Sequence, residues 1–223
     1  NKEAFYMELN IGIEPAREYL SYELAKGALK LVKDVMLVKE GENVLITGDS
    51  STDRRAVEAT AEAAFAIGAM PTVIYYPTAP TGAMEPPRPI AAAICNTDVW
   101  IEYTYSNIQH CPSWRKSLEN GVRYINLTGM DVEMMVKTIT NVDYDLVIEL
   151  GEFFKETVQA ADEIIIKGDN GTNLKAYNSG RKVRHSGQKA TKKGYPVMLC
   201  GQISWSPVES TINGTLVFDG ALW

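Results

Sequence analysis

The 223 residues, 45% of them hydrophobic and 22% charged, can bury one full core and extend into part of a second. Lys plus Arg number 22 against 28 Asp plus Glu, a formal net charge of −6, which speaks against a nucleic-acid partner. Without an apolar run near the roughly 20 residues of a membrane span, or a charged-then-apolar leader pattern, the chain is expected in the cytoplasm with no membrane partner.

From Glu14 to Val38, apolar residues at Leu20, Leu24, Ala28, Leu31, Val35 and Leu37 form a helical stripe that Glu40-Gly41 closes. Asn43 to Thr47 is a short apolar strand ending at Gly48, and Asp49-Ser50-Ser51-Thr52 offers cap residues to a helix from Asp53 to Ile67. The same order then recurs. Strand Thr72–Tyr76 precedes a helix near Pro89–Cys95, strand Asp98–Tyr103 a helix near Pro112–Glu119, and strand Val122–Leu127 a helix Asp131–Ile139. Strand centres lie roughly 25–30 residues apart, the length of a strand-helix-strand repeat, so a parallel sheet with right-handed crossovers is predicted. Ligands of such a sheet collect at the carboxyl ends of the strands. The loops there are Gly48–Thr52, Pro77–Pro87, Thr104–Pro112 and Thr128–Asp131.

Asp143 to Ala161 reads as a long helix with Val147, Leu150, Phe154 and Val158 on one face. After it the pattern switches to hairpins: strand Glu163–Lys167, turn Asp169-Asn170-Gly171, strand Asn173–Asn178, then breaks at Ser179-Gly180 and Ser186-Gly187. The basic run Arg181 to Lys193 reads as a solvated hairpin edge. From Gly201 to Gly220 the chain reads as a strand, a bend at Pro207, an Asn213-Gly214 turn and a second strand, Thr215–Phe218. The predicted fold class is therefore α/β: a doubly wound, mainly parallel sheet with helices on both faces over residues 1–161, followed by the start of a β-rich second domain over 162–223. That second domain opens without closing, so a longer natural product, continuing past Trp223, is expected.

The Gly48–Thr52 loop lacks the glycine and lysine spacing of a nucleotide cradle, which leaves Asp49 and Ser51 as helix caps still able to touch a ligand. Cys95, Cys111 and Cys200 are odd in number and far apart, which suits neither a disulfide framework nor a metal knuckle. The Asn-x-Thr triplets at Asn126, Asn170 and Asn213 act as glycosylation acceptors only in a secreted chain, and the last two read as Asn-Gly turns. Of the two histidines, His185 sits in the basic run and reads as solvated, whereas His110 follows a predicted central strand in Ser106-Asn107-Ile108-Gln109-His110. That position gives His110 either acid-base work near neutral pH or a surface role capping the Pro112 helix. His110 is the catalytic candidate, with Gln109, Ser106 and Asp49 as candidate contacts to a small-molecule substrate. No spacing in these residues suggests a metal-ligand set.

Several short motifs occur in a fixed order: Ala161-Asp162-Glu163-Ile164-Ile165-Ile166, Asn170-Gly171-Thr172-Asn173-Leu174, Gly180-Arg181, Gly201-Gln202 through Pro207, and Asn213-Gly214-Thr215. Their order and spacing resemble the aminopeptidase T family and its relatives, the 2,5-dihydroxypyridine 5,6-dioxygenases. The peptidase branch implies a two-metal centre, of zinc or cobalt ions, with a glutamate five residues before the motif proline. Here that position is Gln202, whose neutral amide cannot balance two divalent cations. The dioxygenase branch instead implies one non-haem Fe(II), held by two histidines and an aspartate in the later domain, past Trp223, with the front domain supplying acid-base groups such as His110. The resemblance thus implies a ring-opening dioxygenase acting on a hydroxylated N-heteroaromatic, with a metallo-aminopeptidase as the second enzyme reading and a non-catalytic binding or assembly subunit as the third. A homo-oligomer is expected.

Overall fold

The structure is a computed structural model and describes residues 20–186, 189–199 and 201–220. The predicted helix start at Glu14, and Gly187, Cys200 and Trp223, lie outside the described residues.

Five parallel strands make the main sheet in the order β2-β1-β3-β4-β8: β1 (Asn43–Asp49), β2 (Met70–Tyr76), β3 (Val99–Glu102), β4 (Arg123–Asn126) and β8 (Pro196–Val197). The first crossover, β1 to β2, steps to one side, and the next, β2 to β3, returns past β1. The direction of winding therefore reverses between β1 and β3, which opens a crevice at their carboxyl ends. Alternation along the strands explains two cores. Val44, Ile46, Val99 and Ile101 face the first, with α1 (Ser21–Lys30) and α2 (Arg54–Ala66), while Leu45, Trp100 and Tyr124 face the second, with α3 (Arg88–Ile94) and α4 (Pro112–Glu119). α5 (Val132–Met135) lies with α1 and α2.

Helix and strand positions in this part match the apolar periodicity closely, and the ends differ for local reasons. α1 runs into a π-helical turn, Leu31–Val35, and Arg123 at the head of β4 donates to the carbonyls of Met36 and Leu37 at 3.0 and 2.7 Å, satisfying that helix terminus. Asp53, not Asp49 or Ser51, caps α2, its carboxylate accepting from the Arg55 N–H at 3.0 Å.

α6 (Tyr144–Ala160) is capped by Asp143 and followed by β5 (Glu163–Lys167) and β6 (Asn173–Tyr177). Three corrections follow. The strand expected at Thr215–Phe218 is instead β10 (Asn213–Thr215), which pairs antiparallel with β6, so Asn213-Gly214 lies within a strand rather than at a turn. A Cβ on Gly214 would come within 2.0 Å of the Asn173 carbonyl oxygen, so glycine is needed for the backbones to approach, at a φ of +124°. The basic run is not one hairpin: β7 (Arg184–Ser186) pairs antiparallel with β9 (Gln202–Ser204), and the chain between them returns to the main sheet as β8. Finally, the His185 side chain is 3% exposed and bonded through Nδ1 to Glu152 at 2.8 Å, not solvated.

Candidate active site

Three loops converge at the carboxyl ends of the parallel strands. Loop 50–53 follows β1, loop 77–87 follows β2, and loop 103–111 follows β3. Loop 77–87 lies against its neighbours: Thr78 Oγ1 is 2.9 Å from both the Ser50 and Ser51 hydroxyls, and the Ala83 N–H donates to the Asn107 carbonyl at 2.7 Å. Glu85 accepts from the Ser113 N–H at 3.2 Å and from the Ser113 hydroxyl, which holds its carboxyl below the usual range.

Of the four sequence-predicted residues, Ser106, Gln109 and His110 lie on loop 103–111 and Asp49 ends β1 beside it, and the structure gives them different tasks. Asp49 is 2% exposed, and its carboxylate is already engaged. Oδ1 accepts from the Ser51 N–H at 3.0 Å and the Thr52 hydroxyl at 3.1 Å, and Oδ2 accepts from the Ser106 N–H at 3.1 Å. Asp49 and Ser106 are thereby joined across the β1–β3 crevice. Gln109 turns the other way, its Oε1 accepting from Asn126 Nδ2 at the end of β4 at 3.3 Å. His110 is exposed, with its ring edge-on to Trp114 at 5.1 Å between centroids. Its φ of +75° is rare for a residue with a side chain and costs on the order of 1 kcal/mol or more, so the surrounding contacts must hold it there. Cys111, beside His110, is the cap of α4, its sulfur accepting from the Trp114 N–H at 3.3 Å. Burial pushes its thiol up to about 11, so it is protonated at neutral pH and is no nucleophile.

Sequence reasoning passed over Glu102. It ends β3, is fully buried, and accepts from Thr104 Oγ1 at 2.5 Å, the Ile108 N–H at 2.6 Å and the Tyr124 hydroxyl. Burial raises its carboxyl above the usual range, and those three donors oppose the shift. Tyr76 and Tyr124 are pushed well above an ordinary phenol by burial and by the neighbouring Glu102 charge. The signal was available: a carboxylate closing the otherwise apolar strand Val99-Trp100-Ile101 has no bland reason to be there.

Beside these loops lies a cavity of about 210 Å³ lined by Ser51, Thr52, Asp53, Tyr103, Tyr105, Gly129, Met130 and Asp131. It is smaller than the roughly 300–1,000 Å³ of sites for drug-sized ligands, so it suits a small molecule. Among the described residues, no group of three or more His, Cys, Asp or Glu is arranged to hold a metal ion. They therefore do not fit an iron centre by themselves. Gln202, on β9, faces α6 and His185 and not these loops.

Residues 26–221 match the family model described as 2,5-dihydroxypyridine 5,6-dioxygenase. The chain belongs to this family. Its fold is similar to that of 2,5-dihydroxypyridine dioxygenase from Pseudomonas putida KT2440, with a TM-score of 0.65 and 18% identity over 91% of this chain and 60% of that one. It is also similar to wild-type AmpT, an aminopeptidase T, from Thermus thermophilus, with a TM-score of 0.55 and 14% identity over 86% of this chain and 63% of that one. The chain thus spans about three-fifths of the length of either structure. Compared by sequence with curated proteins, it has no match. Among the described residues, no helix is long and apolar enough to cross a membrane.

Proposed function

We propose that this chain forms the α/β front of a ring-opening dioxygenase whose substrate is a hydroxylated N-heteroaromatic of the 2,5-dihydroxypyridine kind. The observation that carries the reading is the family match over residues 26–221. The geometry supports it: the winding reversal between β1 and β3 sets a small cavity beside a loop that carries an exposed imidazole. In this reading His110 exchanges a proton with the substrate and Ser106 lines its approach, while Gln109 is held by Asn126. Asp49 braces those loops rather than touching the ligand, since its carboxylate is engaged on both oxygens. Fe(II) belongs to the reading as a property of the complete enzyme. No step is assigned to it, because the described residues do not assemble its ligands. The amide of Gln202 counts against the two-metal peptidase alternative, which would use zinc or cobalt.

The test is oxygen uptake by the complete protein with 2,5-dihydroxypyridine. Uptake matched one-for-one by loss of the ring, dependent on about one iron per chain, supports the reading. Release of leucine from a leucyl substrate without oxygen uptake overturns it in favour of the peptidase.

A further inference from the structure

Two buried carboxylates hold the same loop from adjacent strands. Asp49, at the end of β1, takes the Ser106 N–H at 3.1 Å, and Glu102, at the end of β3, takes the Ile108 N–H at 2.6 Å. Between them the Asn107 carbonyl accepts from Ala83 at 2.7 Å, so three consecutive residues are fixed through their backbone. The next two residues are Gln109 and His110, the latter in its unfavourable left-handed conformation. Among the described residues, neither carboxylate has a cationic hydrogen-bond partner. Burying a carboxylate without a cation is costly, and simple loop closure does not require it. Buried carboxyl oxygens that accept backbone N–H groups at 2.6 and 3.1 Å fix the loop by hydrogen bonds that would be costly to leave unmade, which is what a loop kept in a strained geometry needs.

We infer that Asp49 and Glu102 are a pair of positioning residues that clamp loop 103–111 and so present His110 to the crevice. The inference rests on the proposed reading for the task His110 performs, but the clamp itself can be tested without turnover.

The two histidines of these 223 residues, once their imidazole proton resonances are assigned in an NMR spectrum, form a paired reporter. His110 senses the Trp114 ring at 5.1 Å, and His185, held by Glu152 on α6, reports on the fold elsewhere. Asp49→Asn keeps an oxygen for Ser51 and Thr52 but sets an amide N–H₂ against the Ser106 N–H, donor facing donor. It should release the loop and move the His110 resonance toward that of a free histidine, leaving His185 unchanged. Glu102→Met removes the acceptor of Ile108 and should do the same. Glu102→Gln keeps the shared oxygen for Thr104 and Ile108 and turns its amide toward Tyr124, whose hydroxyl can accept, so His110 should stay in place. A His110 resonance unmoved in both Asp49→Asn and Glu102→Met overturns the clamp. Where a variant loses the His185 signal through unfolding, amide hydrogen exchange in the unaltered chain decides. Exchange at Ser106 and Ile108 slowed at least tenfold relative to an open loop supports the clamp, and exchange at open-loop rates overturns it. A complete protein that fails to consume 2,5-dihydroxypyridine while its His110 resonance follows the clamp pattern would remove the dioxygenase reading and leave the clamp standing.

Discussion

β1 and β5 are both short apolar strands, yet six of the seven residues of β1 are buried and none of the five in β5 is. The first lies in the middle of a sheet with a core on each face, and the second at the edge of a three-stranded sheet whose Ile165 and Ile166 are each more than half exposed. Apolar sequence alone does not decide burial. Layers on both faces do, and the parallel part of the molecule has them. The contrast extends to polar groups. Asp49 and Glu102 are buried and held by several donors, whereas Lys175 pairs with Glu163 at 2.6 Å out in solvent, where such a pair is worth little.

The sharpest way to break that contrast is to truncate one residue of each kind. Trp100 in β3 is fully buried, touches the Tyr124 ring at 4.5 Å and donates to Thr47 at 2.9 Å. Trp100→Ala should cost about 3–5 kcal/mol in urea unfolding, while Ile165→Ala in β5 should stay within about 0.5 kcal/mol. Equal costs would show that the β-rich part is as tightly packed as the parallel sheet.

His110→Gly separates chemistry from strain. Glycine accepts the φ of +75° without penalty. Turnover of 2,5-dihydroxypyridine by the complete protein should fall by about 10²-fold or more, the usual contribution of a positioned acid or base, with the melting temperature unchanged or raised. Full turnover would remove His110 from the chemistry, and it is no helix cap either, since Cys111 caps α4.

The junction between the two regions gives a smaller effect. A Cβ on Gly151 of α6 would meet the His185 Nε2 at 2.2 Å, and that ring is buried. Gly151→Ala should push His185 off the helix and cost about 1–3 kcal/mol, read by thermal melting and by a shifted His185 resonance.

The smallest effect is in pH dependence. Burial raises the folded-state carboxyl of Glu102, so between its ordinary and folded values the folded chain binds more protons than the unfolded one. Glu102 therefore contributes to stability most at low pH, and the contribution is lost as pH rises through the folded value. Glu102→Gln should flatten that decline, measured as urea midpoints across the acid-to-neutral range. An unchanged slope would mean that its three donors fully compensate burial.

How much of this could be read from residues alone divides along the same line. The parallel strands and their helices were legible because each carries a buried apolar run or stripe, and some helices also a capping residue, as at Asp53 and Asp131. β8 was not: two residues, one a proline, form a strand only because β4 offers an open edge. Asn213-Gly214 has the composition of a turn, and only the approach of the Asn173 carbonyl reveals a strand. In the site, the carboxyl-end loops and His110 followed from strand order, but the role of Asp49 did not. Beside its local partners Ser51 and Thr52, it binds Ser106, 57 residues away, a contact that no local pattern encodes. Glu102 was visible as a charge in an apolar strand, but its meaning required the return of Ile108 and Tyr124 onto it.

Where the substrate binds tests the account most directly. With the complete protein under anaerobic conditions, 2,5-dihydroxypyridine should perturb the amide resonances of residues 49–53, 103–111 and 129–131, the segments that line the cavity or carry His110. Perturbations confined to Leu150, His185, Gln202 and Ile203, the apolar pocket between α6 and β9, would contradict the placement of the site at the winding reversal of the parallel sheet.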